Sequence, residues 1–402
     1  MYKIREKPLL YTLAFIQFTH VMDFMIMMPL STHFTDEFGI TNAAFGLLVA
    51  SYNISAGIFA AAGAFFIDRF DRRKVMLLCY TAFIIGTLAC GFAPTFGFLL
   101  AARIFTGMFG GIIISTMLSI VADAIPYERR ASAMAIMYMG FSGAAILGVP
   151  GGSFIAAHSS WHIPFIVIAV MGIPILFAAM RFIPPMAAHV EEAKKRNPFR
   201  QFAEIVSSRN RLLGLLLMGL LMLGHFSIIP YIPNFMVHNL GMEEQYVGFI
   251  YLAGGVASVF SMRVIGRLSD KHGSLKVFAV LSLCALFPIL TITHLPVAGL
   301  IVILLLAATL FVFGGNRGVP ANTLISATAL PHQRGGFMSL TSAVQQLGAG
   351  LASFFAGLLI TEGPNHTVLQ YDHVGYLAAA ASILAVPVAM MIKPVAKLPA
   401  EE

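Results

Sequence analysis

Long apolar stretches recur along the whole of this 402-residue chain, and mostly short polar segments separate them. A stretch of about 18 or more apolar residues is long enough, as an α-helix, to cross a hydrocarbon layer about 30 Å thick. The sequence therefore predicts an all-α integral membrane protein with twelve transmembrane helices. The predicted spans are residues 9–30, 43–67, 75–93, 96–121, 132–156, 162–182, 212–237, 246–264, 275–293, 297–327, 337–361 and 374–392.

The composition leaves no room for a sizeable soluble domain. Hydrophobic residues make up 58% of the chain and charged residues only 11%, whereas a soluble protein carries about 25% charged residues. The three cysteines, Cys79, Cys90 and Cys284, all lie within apolar segments, which excludes a disulfide framework and a zinc-ligand spacing. We therefore expect neither a metal site nor a cofactor.

The positions of the basic residues predict the topology. Twelve spans place both termini on one side of the membrane, and cytoplasmic loops are enriched in Lys and Arg. With a cytoplasmic N-terminus, every basic residue outside the spans becomes cytoplasmic, and the external loops carry acidic residues. The net charge of +7 is thus explained by the membrane, without a nucleic-acid partner. We expect both termini to be cytoplasmic and the membrane to be a bacterial inner membrane.

The chain divides into two similar halves. Its longest polar stretch, residues 184–211, separates six predicted spans in residues 1–183 from six in residues 212–402. Charged loops follow the second and fourth spans of each half, which indicates an internal duplication. Repeated halves around a site near the middle of the bilayer are the usual construction of secondary transporters. We predict two six-helix domains joined by a cytoplasmic linker, in a protein that acts as a monomer.

Four sequence motifs carry a family resemblance. The loop after the eighth span has the pattern Gly-x-x-x-Asp-Lys-x-Gly, and a related pattern follows the second span. The fourth span contains Arg103, the fifth contains a glycine-rich segment around Pro150, and the first contains Asp23. The motif residues of the two loops are Asp68, Arg69, Arg72, Arg73, Gly266, Asp270, Lys271 and Gly273, and those of the fifth span are Gly148, Pro150 and Gly152.

In these motifs, and over essentially its full length, the chain resembles the major facilitator superfamily. Within that superfamily it is similar to the drug:proton antiporters and to exporters related to arabinose-efflux permeases. The resemblance implies proton transfer at Arg103 and an antiporter motif around Pro150. An acid at a helix end beside basic residues also makes a charge cluster that can latch one conformation, so we predict that both loops and the Pro150 segment act in conformational gating.

Asp23, Arg103 and Arg317 are the charged residues that the spans have to accommodate. A charge near the bilayer centre costs at least about 2.5 kcal/mol, so such residues usually have partners and mark a pathway. Counting from the external ends places Asp23 and Arg103 at similar depths. We predict that protonation of Asp23 alternates with its pairing to Arg103 or to substrate, and that His20, one turn away, relays protons. A permanent structural ion pair and a core role for His20 are the alternatives.

Other polar residues in the spans are candidates to line a substrate cavity. Arg317 lies where glycines and Pro320 loosen the tenth span, and it could contact a polar or anionic substrate group or bond to freed carbonyls. The remaining candidates, each of which could instead hold helices together, are Asn316, Asn53, Tyr138, His225, Tyr231, Asn234, Gln345 and Gln346.

The sequence as a whole predicts a secondary active transporter whose partners are a small-molecule substrate, protons and the lipid bilayer. Proton-coupled efflux by alternating access is the first interpretation, since the Pro150 segment and Asp23 favour export. Proton-coupled symport of a small metabolite into the cell is the alternative, and a receptor or scaffold is a third class. No Walker A loop, His-Glu-x-x-His sequence or nucleophile arrangement is present, so we do not expect an enzyme.

Overall fold

The computed structural model describes residues 6–66, 69–126, 130–187, 190, 207–329 and 334–393. Asp68 and most of the predicted linker lie outside these residues. The elements are α1 (Glu6–Met25), α2 (Ser31–Phe38), α3 (Asn42–Phe66), α4 (Arg72–Gly91), α5 (Phe96–Ala124), α6 (Arg130–Gly143, a π-helical turn Ala144–Gly148, and Val149–His158), α7 (His162–Phe182), α8 (Arg209–Phe226, with irregular turns to Asn239), α9 (Val247–His272), α10 (Ser274–Cys284 and Leu286–Thr293), α11 (Leu300–Thr309, a π-helical turn Leu310–Gly315, and Gly318–Ser326), α12 (Arg334–Leu359), β1 (Thr361–Glu362), β2 (Val368–Leu369) and α13 (Tyr371–Met391).

Twelve of these helices are long, and they match the predicted spans in place and order. Among the described residues, eleven are long and apolar enough to cross a membrane. The exception is α1, in which Gln17, His20 and Asp23 lower the mean hydropathy although all three side chains are buried. The predicted all-α fold with two six-helix halves is confirmed, and its least hydrophobic helix is the one that buries a carboxyl group.

Three features differ from the prediction. The predicted loop after the eighth span is largely helical, because α9 continues to His272, so Gly266, Asp270 and Lys271 lie on its last two turns. The chain reverses at Gly273, whose φ of 89° is a conformation that side chains with a Cβ rarely adopt. The helix α2 and the antiparallel β1–β2 hairpin were not predicted from the sequence.

The two ends of the helix bundle differ in charge. We call one the basic end, where α4 begins with Arg72 and Arg73 and α9 ends with Lys271. We call the other the acidic end, where α2 and the segments before α9 and α13 lie. Its acidic residues are Asp36, Glu37, Glu243, Glu244, Glu362 and Asp372. The charge rule predicts that the basic end is cytoplasmic.

At the acidic end, the two halves share one apolar core. A single cluster of buried side chains joins Phe34, Phe45 and Trp161 of the first half to Tyr231 and Tyr251 of the second. At the basic end, the cores of the described residues are separate. One contains only first-half residues, from Leu9 to Ile183, and the others contain only second-half residues, from Leu217 to Ile392. The two halves therefore share one buried core at the acidic end, whereas the described core residues at the basic end form separate clusters in each half.

Polar contacts across the halves add to the acidic-end core. The Asn234 amide donates to the Asn42 side chain at 3.0 Å, both residues being buried. Helix α2 faces the second half through two histidine–carboxylate contacts, His33 with Glu244 at 3.8 Å and His238 with Asp36 at 3.6 Å. On its other side, α2 packs on Trp161, whose indole N–H donates to Glu37 and whose ring meets Phe34 edge-on. Helix α2 thus lies between the two halves.

Close contacts between backbones hold α3 against α12 and α6 against α9. A Cβ added at Gly350 of α12 would lie 3.1 Å from the Ala50 carbonyl oxygen of α3. A Cβ at Gly248 of α9 would lie 3.3 Å from the Cα of Pro150 in α6. Small residues allow membrane helices to approach this closely, and both contacts join the first half to the second.

Candidate functional site

A buried ion pair joins α1 to α5. The Arg103 Nη1 donates to Asp23 Oδ2 at 2.7 Å, and both residues are completely buried, with 0% of either exposed. The other carboxylate oxygen, Oδ1, accepts a hydrogen bond from the Thr87 hydroxyl of α4 at 3.0 Å. Three helices of the first half therefore meet at one carboxylate, and the predicted neighbours Asp23 and Arg103 are in direct contact.

An aromatic face covers the guanidinium. The Arg103 Cζ lies 4.3 Å from the centroid of the Tyr52 ring, a distance at which a cation is attracted to the ring face. The Tyr52 hydroxyl shares a 3.0 Å hydrogen bond with His20 Nε2, and Phe24 stacks on the same tyrosine ring at 5.8 Å. His20 reaches Tyr52 rather than Asp23, so its link to the ion pair runs through the tyrosine.

Two glycines of α5 make room for this cluster. A Cβ at Gly110 would lie 2.6 Å from the Tyr52 hydroxyl and 3.0 Å from His20 Nε2. A Cβ at Gly107 would lie 2.4 Å from the Tyr52 carbonyl oxygen. All three distances are shorter than van der Waals contact, so glycine at these two positions allows Tyr52 to approach Arg103 closely.

The glycine-rich segment of α6 contacts the helix that carries Asp23. Gly148 faces Met22 of α1, where a Cβ would lie 3.1 Å from the methionine side chain, and Gly152 faces Ile26 at 2.5 Å. Pro150, on the opposite side, meets Gly248 of the second half. The predicted gating residues Gly148, Pro150 and Gly152 thus connect α1 with the α6–α9 contact between the halves.

The first loop motif is held within the first half at the basic end. The Arg72 Nε lies 2.5 Å from Asp123 Oδ2 near the end of α5, and the Arg73 guanidinium donates to the Met180 carbonyl of α7 at 2.6 Å. Asp71 caps α4 by accepting from the Arg73 backbone N–H at 2.8 Å. Arg69 is exposed, as are Asp270 and Lys271 of the second motif. The predicted charge cluster therefore ties α4, α5 and α7 together.

The tenth predicted span, α11, contains a second buried cation. Arg317, 1% exposed, donates from Nε to the Gly314 carbonyl at 3.1 Å and from Nη1 to the Ser382 hydroxyl of α13 at 2.7 Å. Its neighbour Asn316 is fully bonded, donating to the Ser258 carbonyl and to the Ser261 hydroxyl and accepting from the Ser258 hydroxyl. Asn316 therefore joins α11 to α9, and Arg317 joins α11 to α13.

The other predicted cavity residues fall into two groups. Tyr231 and Asn234 are buried at the acidic end, where the Tyr231 hydroxyl donates to the Ser353 carbonyl at 2.6 Å. Asn53 is buried on α3 and donates to the Val49 carbonyl at 3.0 Å. The residues with accessible surface are Tyr138, His225, Gln345 and Gln346, with Tyr138 and Gln345 the more exposed.

Two members of the ion-pair cluster, Tyr52 and Thr87, were not predicted as site residues. Each is one of several uncharged polar residues in its helix, and neither belongs to a motif. Gly107 and Gly110 could have indicated that a large side chain packs on α5, because glycines three residues apart share one helix face and leave space there. The sequence does not say which residue fills that space.

Comparison with known proteins identifies the family. The sequence profile of the Major Facilitator Superfamily matches residues 13–353, and a second match covers residues 221–401. The chain belongs to the major facilitator superfamily. As a member, it is a multi-pass membrane protein that carries out secondary transport and is not an enzyme.

Three relatives illustrate the similarity of this chain to other proteins. The chain is 24% identical over 379 residues to YbcL of Bacillus subtilis, an uncharacterized MFS-type transporter, covering 94% of each sequence. It is 23% identical over 368 residues to the putative transporter AraJ of Escherichia coli, covering 89% of this chain and 88% of AraJ. It is 23% identical over 326 residues to a chloramphenicol resistance protein of Streptomyces lividans, covering 74% of this chain and 83% of the relative.

Solved structures of the superfamily have the same fold. The nucleoside transporter NupG superposes with a TM-score of 0.75 at 12% identity, covering 97% of this chain and 99% of NupG. A D-xylose–proton symporter superposes with a TM-score of 0.72 at 18% identity, covering 97% and 98%. These likenesses establish the superfamily fold for the two six-helix halves.

Proposed function

We propose that this protein exports small molecules in exchange for protons by alternating access, as a monomer in a bacterial inner membrane. Residues 1–183 and 212–402 would be the two moving halves, and the basic end would be cytoplasmic. The buried Asp23–Arg103 pair carries this proposal. It is a carboxylate placed inside the membrane with one cation as its partner, and charged groups in that position usually mark an ion pathway.

Proton binding would rearrange this pair. Protonation removes the charge that holds Arg103 and turns one acceptor oxygen of Asp23 into a hydroxyl donor. Substrate would bind to the state in which Asp23 is charged, either beside the intact pair or through the carboxylate itself. Proton and substrate then bind to alternative states of one pair, and this mutual exclusion is what an exchanger requires.

The contacts of α1 offer a route from the ion pair to the interface between the halves. Met22, adjacent to Asp23, packs on Gly148, and Pro150 in the same segment of α6 meets Gly248 of the second half. A shift of α1 upon protonation would therefore displace α6 at its contact with α9. Packed helices tend to switch between discrete arrangements, so a small shift can be amplified into a rocking motion.

With the basic end cytoplasmic, the separate core clusters at that end would fit an inward-facing state. Asp23 is 0% exposed in this state, so its proton exchange requires a rearrangement of the surrounding helices. The name of one relative, a chloramphenicol resistance protein, favours export over uptake.

The test is the internal pH of proteoliposomes loaded with a pH-sensitive dye and with one candidate substrate at a time. As substrate flows out, an antiporter acidifies the lumen and a symporter makes it alkaline, so the sign separates export by exchange from the uptake alternative. We expect acidification with the wild type and complete loss of the pH change with Asp23→Asn.

Asp372→Asn is the matched control, because it removes a partly exposed carboxylate at the acidic end. It should leave the pH change intact. A pH change that persists in Asp23→Asn would show that the coupling proton binds elsewhere. Substrate flux through the wild type without any pH change would show that transport is not coupled to protons.

A further inference from the structure

The charges inside the membrane spans do not cancel. Among the described residues, the carboxyl and guanidinium groups buried to 1% exposure or less belong to Asp23, Arg103 and Arg317. Asp23 and Arg103 neutralise each other through their 2.7 Å contact. Arg317 is therefore left as a net positive charge within the second half.

The surroundings of Arg317 hold it without neutralising it. Its two acceptors, the Gly314 carbonyl and the Ser382 hydroxyl, are uncharged, and the Ser382 hydroxyl donates onward to the Ala378 carbonyl at 2.8 Å. The third nitrogen, Nη2, is buried and has no acceptor among the described residues. A neutral glutamine could make hydrogen bonds to the same acceptors. Burying the charge of an arginine without a counter-charge is far more costly than burying such a neutral side chain.

This charge lies beside the junction of the two halves. A Cβ at Gly224 of α8 would lie 2.8 Å from Arg317 Nη2, and the next residue, His225, is only partly buried and within electrostatic reach of Arg317. Phe226 in turn contacts Phe24 of the first half, with ring centroids 5.8 Å apart. Arg317 thus packs against α8, close to the place where α8 of the second half contacts α1 of the first.

We infer that the transported molecule carries a negative charge, and that Arg317 selects it against neutral and positively charged molecules of the same shape. This inference rests on the proposed transport function and adds the class of substrate. If the substrate charge lies about 10 Å from the guanidinium and the effective dielectric constant is about 20, the anion binds more than about tenfold more tightly than a neutral analogue. The cation is disfavoured by a similar factor.

A matched series of probes tests this inference. The acid, amide and amine forms of one 4-phenylbutyl body have the same apolar part and carry a negative, zero and positive charge. Binding to the detergent-purified full-length protein is measured by thermal stabilisation, which needs no proton movement. We expect the acid to bind at least about tenfold more tightly than the amide and the amine to bind least.

Variants of Arg317 assign the effect to this residue. Arg317→Lys keeps the charge and should keep the preference for the acid, whereas Arg317→Gln should reduce the acid–amide difference to less than about twofold. Equal or tighter binding of the amide or amine to the wild type would overturn the inference, even if neither variant folds. So would failure of the acid to bind at about 10 mM, because the inference requires Arg317 to favour a small anion of this kind at that concentration.

The outcome is separable from that of the proposed function. If a cationic substrate drives proton movement, the proposal of proton exchange is supported and the inference of an anionic substrate is wrong. Binding of the acid with Arg317-dependent charge preference, but without any proton movement, would support the anionic class and overturn proton exchange.

Discussion

Replacing Arg103 with leucine should lower the stability of the folded protein by about 3–5 kcal/mol, because it leaves the Asp23 carboxylate buried without its counter-charge. Thr87 remains as a donor, but one hydroxyl cannot compensate a charge in this environment. The measurement is thermal unfolding of the detergent-purified protein.

The double variant Asp23→Leu with Arg103→Leu tests whether the two residues act as a pair. Removing both charges should recover most of the stability lost in Arg103→Leu, because no uncompensated ion remains. Losses that simply add in the double variant would mean that each residue is stabilised by other neighbours. In that case protonation of Asp23 could not act by breaking its pair with Arg103.

Replacing Gly111 with alanine should be among the most damaging single-methyl changes at the described glycines of the first half. A Cβ at this position would lie 2.0 Å from the Ala56 carbonyl oxygen, so α5 and α3 would have to separate. Overpacking of this kind typically costs about 1–3 kcal/mol, and a backbone atom cannot move aside as a side chain can. We expect the yield of folded protein and its unfolding temperature to fall sharply.

Gly151→Ala is the control for this experiment. Gly151 also lies within a membrane helix, but a Cβ there would meet no atom within 4 Å. Alanine favours the helix over glycine by about 1 kcal/mol, so this variant should be neutral or slightly more stable. Equal losses in the two variants would mean that the damage is not caused by the α3–α5 contact.

The periodicity of apolar segments predicted most of the fold. Each predicted span overlaps a long helix, because in a membrane the length of an apolar segment and its secondary structure are tied together. The sequence did not reveal α2, whose polar and apolar residues resemble an ordinary external loop. It also did not show that α9 continues to His272, since charged residues at the membrane surface are compatible with either a helix or a loop.

The site was predictable only in part. Asp23 and Arg103 stand out because charge is rare in a membrane span, and a count of helical turns places them at one depth. Tyr52 and Thr87 do not stand out, since polar uncharged residues occur singly in many spans. Their roles depend on how α3 and α4 are rotated about their own axes, and that rotation is set by packing between helices.

Trp161 gives this molecule a built-in optical reporter. It is the one tryptophan in the chain, and it is buried under α2 at the acidic end with its indole N–H bonded to Glu37. Opening of that end would have to draw α2 away from His238 and Glu244, which would change the polarity around the indole. Intrinsic emission at 295 nm excitation would then follow the transport cycle in unlabelled protein, with each substrate addition read as a shift in wavelength.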